Sequence, residues 1–313
     1  MAKYKTPGVI SQALDSVDED FFSELSKLKE HKIMKEATNS FTKHLSSKQS
    51  LRVTNCGSFL VFKVFQNTQN KGQFKRLLSN ANFCKHRFCA MCQWRKSVKH
   101  IADVMSRIQQ LEQDICIDAL MLTLTVPNCA AQDLNKTVKA MSKAWNKFVK
   151  RNNIAKAILG WVRSLELMGD NTPAGQAHPH FHVLIIVRKS YFTSRDYLKQ
   201  SEWRQAWEEC YGYENLQVDV RRAKAKTNSA LDPVLSACYE VTKYSVKASS
   251  VENLSDADQI NLIKQTKKLR AYALGGRLKD YQPDFKSIDS ELWQFIHEEC
   301  FKWLSSIKDY IPN

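Results

Sequence analysis

Long apolar runs are missing from this 313-residue chain. None approaches the roughly 18 residues a membrane helix needs. The opening Met1-Ala2-Lys3-Tyr4-Lys5-Thr6-Pro7 lacks the apolar stretch of a secretory signal. Both absences argue against membrane spanning and export, and for a cytoplasmic protein. Acidic residues are in short supply: 32 Asp and Glu against 47 Lys and Arg leave a formal charge of +15. A surplus of that size points to a polyanionic partner, nucleic acid ahead of an anionic membrane surface. The nine cysteines are odd in number and irregularly spaced, unlike a disulfide framework. Without an export signal they are expected to stay reduced, some as buried thiols and some around a metal. There is no internal repeat. At 43% hydrophobic and 25% charged residues the chain has the composition of a packed globular protein rather than a disordered or fibrous one.

Periodicity along the chain divides it. Phe22, Leu25, Leu28, Ile33 and Met34 sit in a charged segment at irregular helical spacing, as one or two helices of an appendage would have. Residues 51–93 hold Cys56, Cys84, Cys89 and Cys92, and a metal-stapled unit would account for them. Val98, Ile101, Val104, Met105, Ile108 and Leu111 form one apolar helical stripe. The period then drops to two. Leu120, Leu122, Leu124 and Val126 share one face of a strand, with Thr123 and Thr125 on the other. Leu134, Val138, Met141, Trp145 and Phe148 restore a helix. Residues 160–167 alternate again, with Glu166 late in the strand. The turn-rich Gly169–Gly175 makes residues 180–187 the expected antiparallel partner. Trp203 and Trp207 are helically spaced, Leu216, Val218 and Val220 alternate, and Asp232-Pro233 opens a helix reaching about Ser249. The tail is expected to hold a basic helix, a Gly275-Gly276 break and a final helix from about Leu292 to Ile307.

Three clusters carry chemistry. The chain has eight histidines, yet His178, His180 and His182 alternate, so on a strand they project from one face. Neighbouring imidazoles can hold one divalent ion, and Glu166, across the loop, is the nearest carboxylate to complete the set. The bland alternative is a polar strand end. On the helix after Pro233, Glu240, Tyr244 and Lys247 are four and three residues apart and meet on one side. A phenol beside an ammonium is a candidate nucleophile for phosphate; alone, the cluster reads better as solvated charges around a half-buried ring, and the histidines reverse that choice. Cys89 and Cys92 form a C-x2-C knuckle, and Cys56 and Cys84 would complete an all-thiolate zinc tetrahedron, with His86 an alternative fourth ligand. Cys116, Cys129, Cys210, Cys238 and Cys300 lack such spacing.

In order and spacing these motifs resemble those of the rolling-circle replication initiators of small bacterial plasmids, single-tyrosine members of the HUH endonucleases. Met121-Leu122-Thr123-Leu124-Thr125 is similar to their first motif, His178-Pro179-His180-Phe181-His182 to their metal motif, and Glu240 to Lys247 to their catalytic tyrosine motif. Cys84 to Arg95 is similar to the cysteine-rich segment that precedes the nuclease domain. The resemblance covers about Leu51 to Ser250. It implies an α+β fold, an HUH-type central antiparallel sheet flanked by helices. The accompanying plan is a helical appendage over 1–50, a zinc module over 51–97, the endonuclease over 98–254 and a helical region over 255–313.

The resemblance further implies a bacterial cytoplasmic enzyme that nicks one strand of a plasmid double-strand origin. Tyr244 would attack phosphorus, leaving a 5′-phosphotyrosyl link and a free 3′-hydroxyl primer. His180, His182 and Glu166 would hold Mg2+ or Mn2+, with His178 in reserve. Lys247 would support the phosphate, Thr123 and Thr125 would shape the pocket, and Glu240 would activate water for termination. The implied partners are origin DNA, as a single-stranded or hairpin nick site and a duplex binding site, together with host helicase and DNA polymerase, and no membrane. Arg221, Arg222, Lys224 and Lys226 are candidate phosphate contacts. A relaxase of the same superfamily commonly has its tyrosine near the amino terminus, whereas here it follows the histidines. A transposase is the closer rival, but the cysteine segment and Glu240 favour the initiator. A non-catalytic zinc-dependent DNA-binding regulator would leave the histidine triplet idle.

Overall fold

The computed structural model describes residues 28–36, 40–169, 171–224, 233–242, 254–283 and 290–313. Lys226, Tyr244 and Lys247 lie outside these residues. In chain order the regular elements are α1 (Leu28–Glu36), α2 (Ser47–Thr54), β1 (Phe59–Asn67), β2 (Phe74–Ala81), α3 (Ala90–Asp114), β3 (Ile117–Thr125) and β4 (Cys129–Ala130). They continue with α4 (Leu134–Phe148), α5 (Asn152–Ala157), β5 (Gly160–Glu166), β6 (Gln176–Ala177), β7 (His180–Arg188), α6 (Gln200–Tyr211) and β8 (Val218–Arg222). The last are α7 (Pro233–Thr242), α8 (Asp256–Gln265), β9 (Tyr272–Gly276), β10 (Trp293–Leu304) and β11 (Asp309–Pro312). No helix among the described residues is long and apolar enough to cross a membrane. Among the described residues two compact units result, one holding those from 103 to 283 and one joining those from 28 to 102 with 290–313.

The first unit is built on a five-stranded sheet in the order β8-β3-β7-β5-β9, every neighbouring pair antiparallel. Its helices and strands follow the sequence periods. Leu120, Leu122 and Leu124 are buried on one face, where Phe181, Val183 and Ile185 join them. Helices α4 and α6 cover that face with Trp145, Phe148, Trp203 and Trp207, all but fully buried. Trp145 meets Trp161 edge-on at 5.0 Å and Phe181 at 6.4 Å. Arg163 is buried in the same layer with its guanidinium 4.0 Å over Phe181, and burial together with nearby Arg270 pushes its pKa down to about 10.

The opposite face carries Thr123, Ser164, Glu166, His180 and His182, because Thr123 and Ser164 are both register partners of His182 and Glu166 partners His180. Tyr272 pairs with Ser164 and so shares this face. Its phenol is pushed far up by burial and by the neighbouring Cys238 thiol of α7, which puts α7 over the face of the histidines. That helix packs across β3, β5 and β7, burying Ala237, Cys238 and Val241.

The edge strand β9 ends at Gly276, whose φ of 65° and ψ of −154° are open to glycine alone. A Cβ there would lie 2.5 Å from the Leu159 carbonyl oxygen and 2.8 Å from Gly160 Cα, both backbone atoms with no freedom to retreat. Gly276→Ala is expected to cost at least about 2 kcal/mol, measurable as a lowered midpoint of urea unfolding; an unchanged midpoint would contradict the strand assignment.

The second unit holds a four-stranded antiparallel sheet in the order β11-β10-β1-β2. Leu60, Phe62 and Tyr310 form its core with Leu28, Leu78, Phe83, Phe301 and Trp303. This corrects the expected tail. Residues 293–304 form a strand, not a helix, and the expected break at Gly275-Gly276 falls at the end of a further strand, β9. The apolar residues of 292–304 fit three- and four-residue spacing as well as they fit a strand. Pairing with β1 from Phe59 to Asn67 decides in favour of the strand.

Candidate active site and metal centres

Strands β5 and β7 run antiparallel with Glu166 directly across from His180. Their side chains converge: His182 Nε2 lies 2.8 Å from Glu166 Oε2, His180 Nε2 3.2 Å from the same oxygen, and the two Nε2 atoms 3.1 Å apart. Each distal ring nitrogen is engaged by an oxygen. His180 Nδ1 is 2.9 Å from the His178 carbonyl, which fixes it as the N–H donor and leaves Nε2 with its lone pair toward the cluster. His182 Nδ1 is 3.3 Å from the Thr123 hydroxyl. Two imidazole lone pairs and a carboxylate packed this closely repel one another unless a cation or proton lies among them. Metal-ligand bonds of about 2.1 Å place adjacent ligands of an octahedral ion about 3.0 Å apart, the spacing seen here. The donor set therefore fits a divalent cation.

The electrostatics agree. Burial works against the Glu166 carboxylate, yet the adjoining His180 and His182 rings bring its pKa down to about 2. For His180 burial favours the neutral ring, but the negative charge of Glu166 and the His178 carbonyl outweigh it and the pKa is raised. His180 is 8% exposed, whereas Glu166 and His182 are half-buried. A cleft of about 620 Å³ opens beside Thr123 and Thr125, with Gln200, Arg204, Asn215 and Asp219 in its walls.

His178 is set apart from this cluster. Its Nδ1 lies 2.6 Å from Asn128 Oδ1, and its ring is 5.3 Å from that of His180. Alternation had put the three histidines on one face, but β7 begins only at His180. Glu240 is solvent-exposed in the last turn of α7 and is not part of the Glu166, His180 and His182 group. Of the basic patch, Arg221 pairs with Asp219 and Arg222 with Asp118, each at 2.5 Å, and Lys224 is exposed. Sequence reasoning missed Asn128 and Tyr272, and nothing in the linear sequence marks either.

In the second unit Cys56, Cys84, Cys89 and Cys92 bring their four sulfurs within 4.8 Å of one another. Cys56 and Cys92 sulfurs are 3.5 Å apart and those of Cys84 and Cys92 3.7 Å. Tetrahedral zinc with bonds of about 2.3 Å requires about 3.8 Å between sulfurs. Backbone amides of Cys84, Lys85 and His86 donate to the sulfurs of Cys56, Cys92 and Cys84 at 3.3, 3.2 and 3.4 Å. Such donors stabilise thiolates, and hydrogen bonding, first from Cys56, holds the Cys84 thiol far below its ordinary value. Gly57 turns the chain behind Cys56 at φ 66°, with Met91 against it. His86 is not a member of the cluster: its ring stacks on Phe41 at 4.9 Å, and its Nδ1 accepts from the Phe88 amide. The donor set fits zinc.

Comparison with known proteins gives the lineage. The replication protein family model Rep_1 matches residues 75–306. The chain is 35% identical over 228 residues to Protein rep of Staphylococcus aureus, covering 72% of this chain and 94% of that protein. It is 31% identical over 262 residues to Protein rep of Lactiplantibacillus plantarum, covering 81% and 80%, and 31% identical over 259 residues to Protein rep of a Bacillus species, covering 79% and 81%. No solved structure matches the chain. A chain that has both an antiparallel α+β unit carrying a carboxylate and two imidazoles and a unit with four clustered cysteines thus goes with a family match across most of the sequence, and it belongs to the Rep_1 replication proteins, the plasmid replication initiators.

Proposed function

We propose that this initiator is an HUH-type nickase that recognises a plasmid double-strand origin and cuts one strand by tyrosine transesterification. The observation that carries this reading is the convergence of Glu166, His180 and His182 on one point of a sheet face covered by α7. Those three residues would hold Mg2+ or Mn2+, with His178 in reserve. When bound, the ion polarises a non-bridging oxygen and stabilises the leaving oxygen of a phosphodiester. Thr123 orients the His182 ring, and Thr125, through its hydroxyl bond to the Gln217 carbonyl, fixes the wall of the cleft. Tyr244 follows α7 by two residues in sequence. Its oxygen attacks phosphorus, a Tyr–O–P bond forms, the bond from phosphorus to the 3′ oxygen breaks, and the phenolic proton is balanced by the one the 3′-hydroxyl gains. Lys247 neutralises the phosphate, and Glu240 acts as general base on water when the regenerated origin is cut. Host helicase and polymerase then act on the nicked origin.

The test is cleavage of an origin oligonucleotide by native protein with Mg2+ or Mn2+ and with EDTA. Cation-dependent nicking with a protein-linked 5′ end is expected, and EDTA-insensitive nicking would eliminate the site. A regulator without catalysis leaves the carboxylate–imidazole cluster without a use.

The cysteine cluster is assigned to structural zinc. Elemental analysis of native protein is expected to find about one zinc per chain. Cys89→Ser should release it and unfold the second unit, since binding energy at such sites is folding energy; native protein with no zinc would remove the assignment.

A further inference from the structure

We propose that the outward face of the four-stranded sheet is a platform for single-stranded DNA, with Phe65, Trp293 and Phe295 stacking on bases and Lys63 and Lys75 meeting phosphates. The inward face of this sheet is spent on its own core of Leu60, Phe62 and Phe301. Register and alternation fix what the other face carries. Lys75, Phe65 and Phe295 are partners in one row across β2, β1 and β10; Leu77, Lys63 and Glu298 form the next, and Trp293 lies opposite Asn67 on the other side.

An antiparallel sheet with one packed face ordinarily turns polar residues outward. Here Phe295 is 48% exposed and meets Phe65 edge-on at 5.8 Å. Lys75 Nζ sits 4.4 Å over the Trp293 ring. One exposed ring needs no explanation, but Phe295 with the half-buried rings of Phe65 and Trp293 gathers three aromatics on one face, and that does. Interleaved aromatic rings and lysines are what an unpaired strand requires, since bases stack on ring faces while cations follow the backbone. Lys63 and Lys75 outnumber Glu298 on this surface, and Lys71 is exposed in the adjoining hairpin loop. The charge favours a polyanion over an apolar partner, within a chain of net +15. A duplex presents no base faces to stack, so the surface discriminates for melted DNA.

The inference rests on the nickase reading only for the identity of the polymer, and its test needs no cleavage. Full-length protein is titrated into a short fluorescein-labelled oligo(dT), and separately into a random duplex, followed by anisotropy without added divalent ion. Phe295→Ala is expected to weaken oligo(dT) binding about tenfold, Phe295→Tyr to restore it, and duplex binding to stay within about twofold. A Lys63→Gln, Lys75→Gln pair, on a solvent face where folding is not at stake, should flatten the salt dependence of oligo(dT) binding by about 1.4 in slope. Unchanged oligo(dT) binding in both variants, or equal loss on oligo(dT) and duplex, overturns the proposal. So does a native dimer that Phe295→Ala splits into monomers, which would make this face an interface between two copies. Native protein that binds oligo(dT) with the expected variant effects yet fails to nick an origin oligonucleotide would count against the nickase reading alone.

Discussion

His182→Ala is expected to lower Mg2+- or Mn2+-dependent nicking of an origin oligonucleotide by about a thousandfold or more, the loss of several kcal/mol of charge stabilisation. The substitution removes one of three donors whose mutual distances are 2.8 to 3.2 Å, and the two that remain cannot fix an ion in one position. Duplex binding should persist, because it is mainly ionic and is carried by lysines and arginines elsewhere. Thr123→Val supplies the graded control. It deletes the hydroxyl 3.3 Å from His182 Nδ1 while keeping all three ligands, so the concentration of cation giving half-maximal nicking should rise about 10- to 100-fold with little change at saturation. If His182→Ala cut at the native rate, or if added cation fully restored it while Thr123→Val stayed native, the cluster would not be the seat of the cation.

Tyr244→Phe should abolish both nicking and the covalent adduct, since phenylalanine has no oxygen to form the phosphodiester. The signature is a band of the protein's mass plus the labelled 5′ product, present for native protein and absent for the variant. Glu240→Ala separates the two halves of the cycle. It should nick and form the adduct normally, yet release the finished circle about a hundredfold more slowly, which is visible as accumulated adduct on a substrate carrying a regenerated origin. An adduct formed by Tyr244→Phe would sink the nucleophile assignment. Equal slowing of nicking and release in Glu240→Ala would instead make Glu240 a general contributor to the first step.

Much of the site was legible before any coordinates, for a local reason. Strand alternation set His180 and His182 on one side, the turn-rich Gly169–Gly175 predicted the antiparallel return, and together they aligned Glu166 with His180. The same local logic fails at His178, because it precedes the strand and its ring turns to Asn128. It fails again in the tail. Apolar residues of 292–304 recur at intervals that suit either a helix or a strand, and the partner that decides, β1, lies more than two hundred residues earlier.

By itself the sequence determined what depends on neighbours along the chain: strands β3, β5, β7 and β8 of the five-stranded sheet, the face on which imidazoles and carboxylate meet, the C-x2-C knuckle and the excess of positive charge. Only the tertiary structure decided the rest. It closed the cysteine cluster without His86, recruited β9 and β10 into separate sheets, tied Arg222 to Asp118, and laid aromatic rings beside lysines on an open face. These features depend on pairing between distant segments. The free energy that selects them is gained only when both partners are in place, so neither segment carries the choice alone.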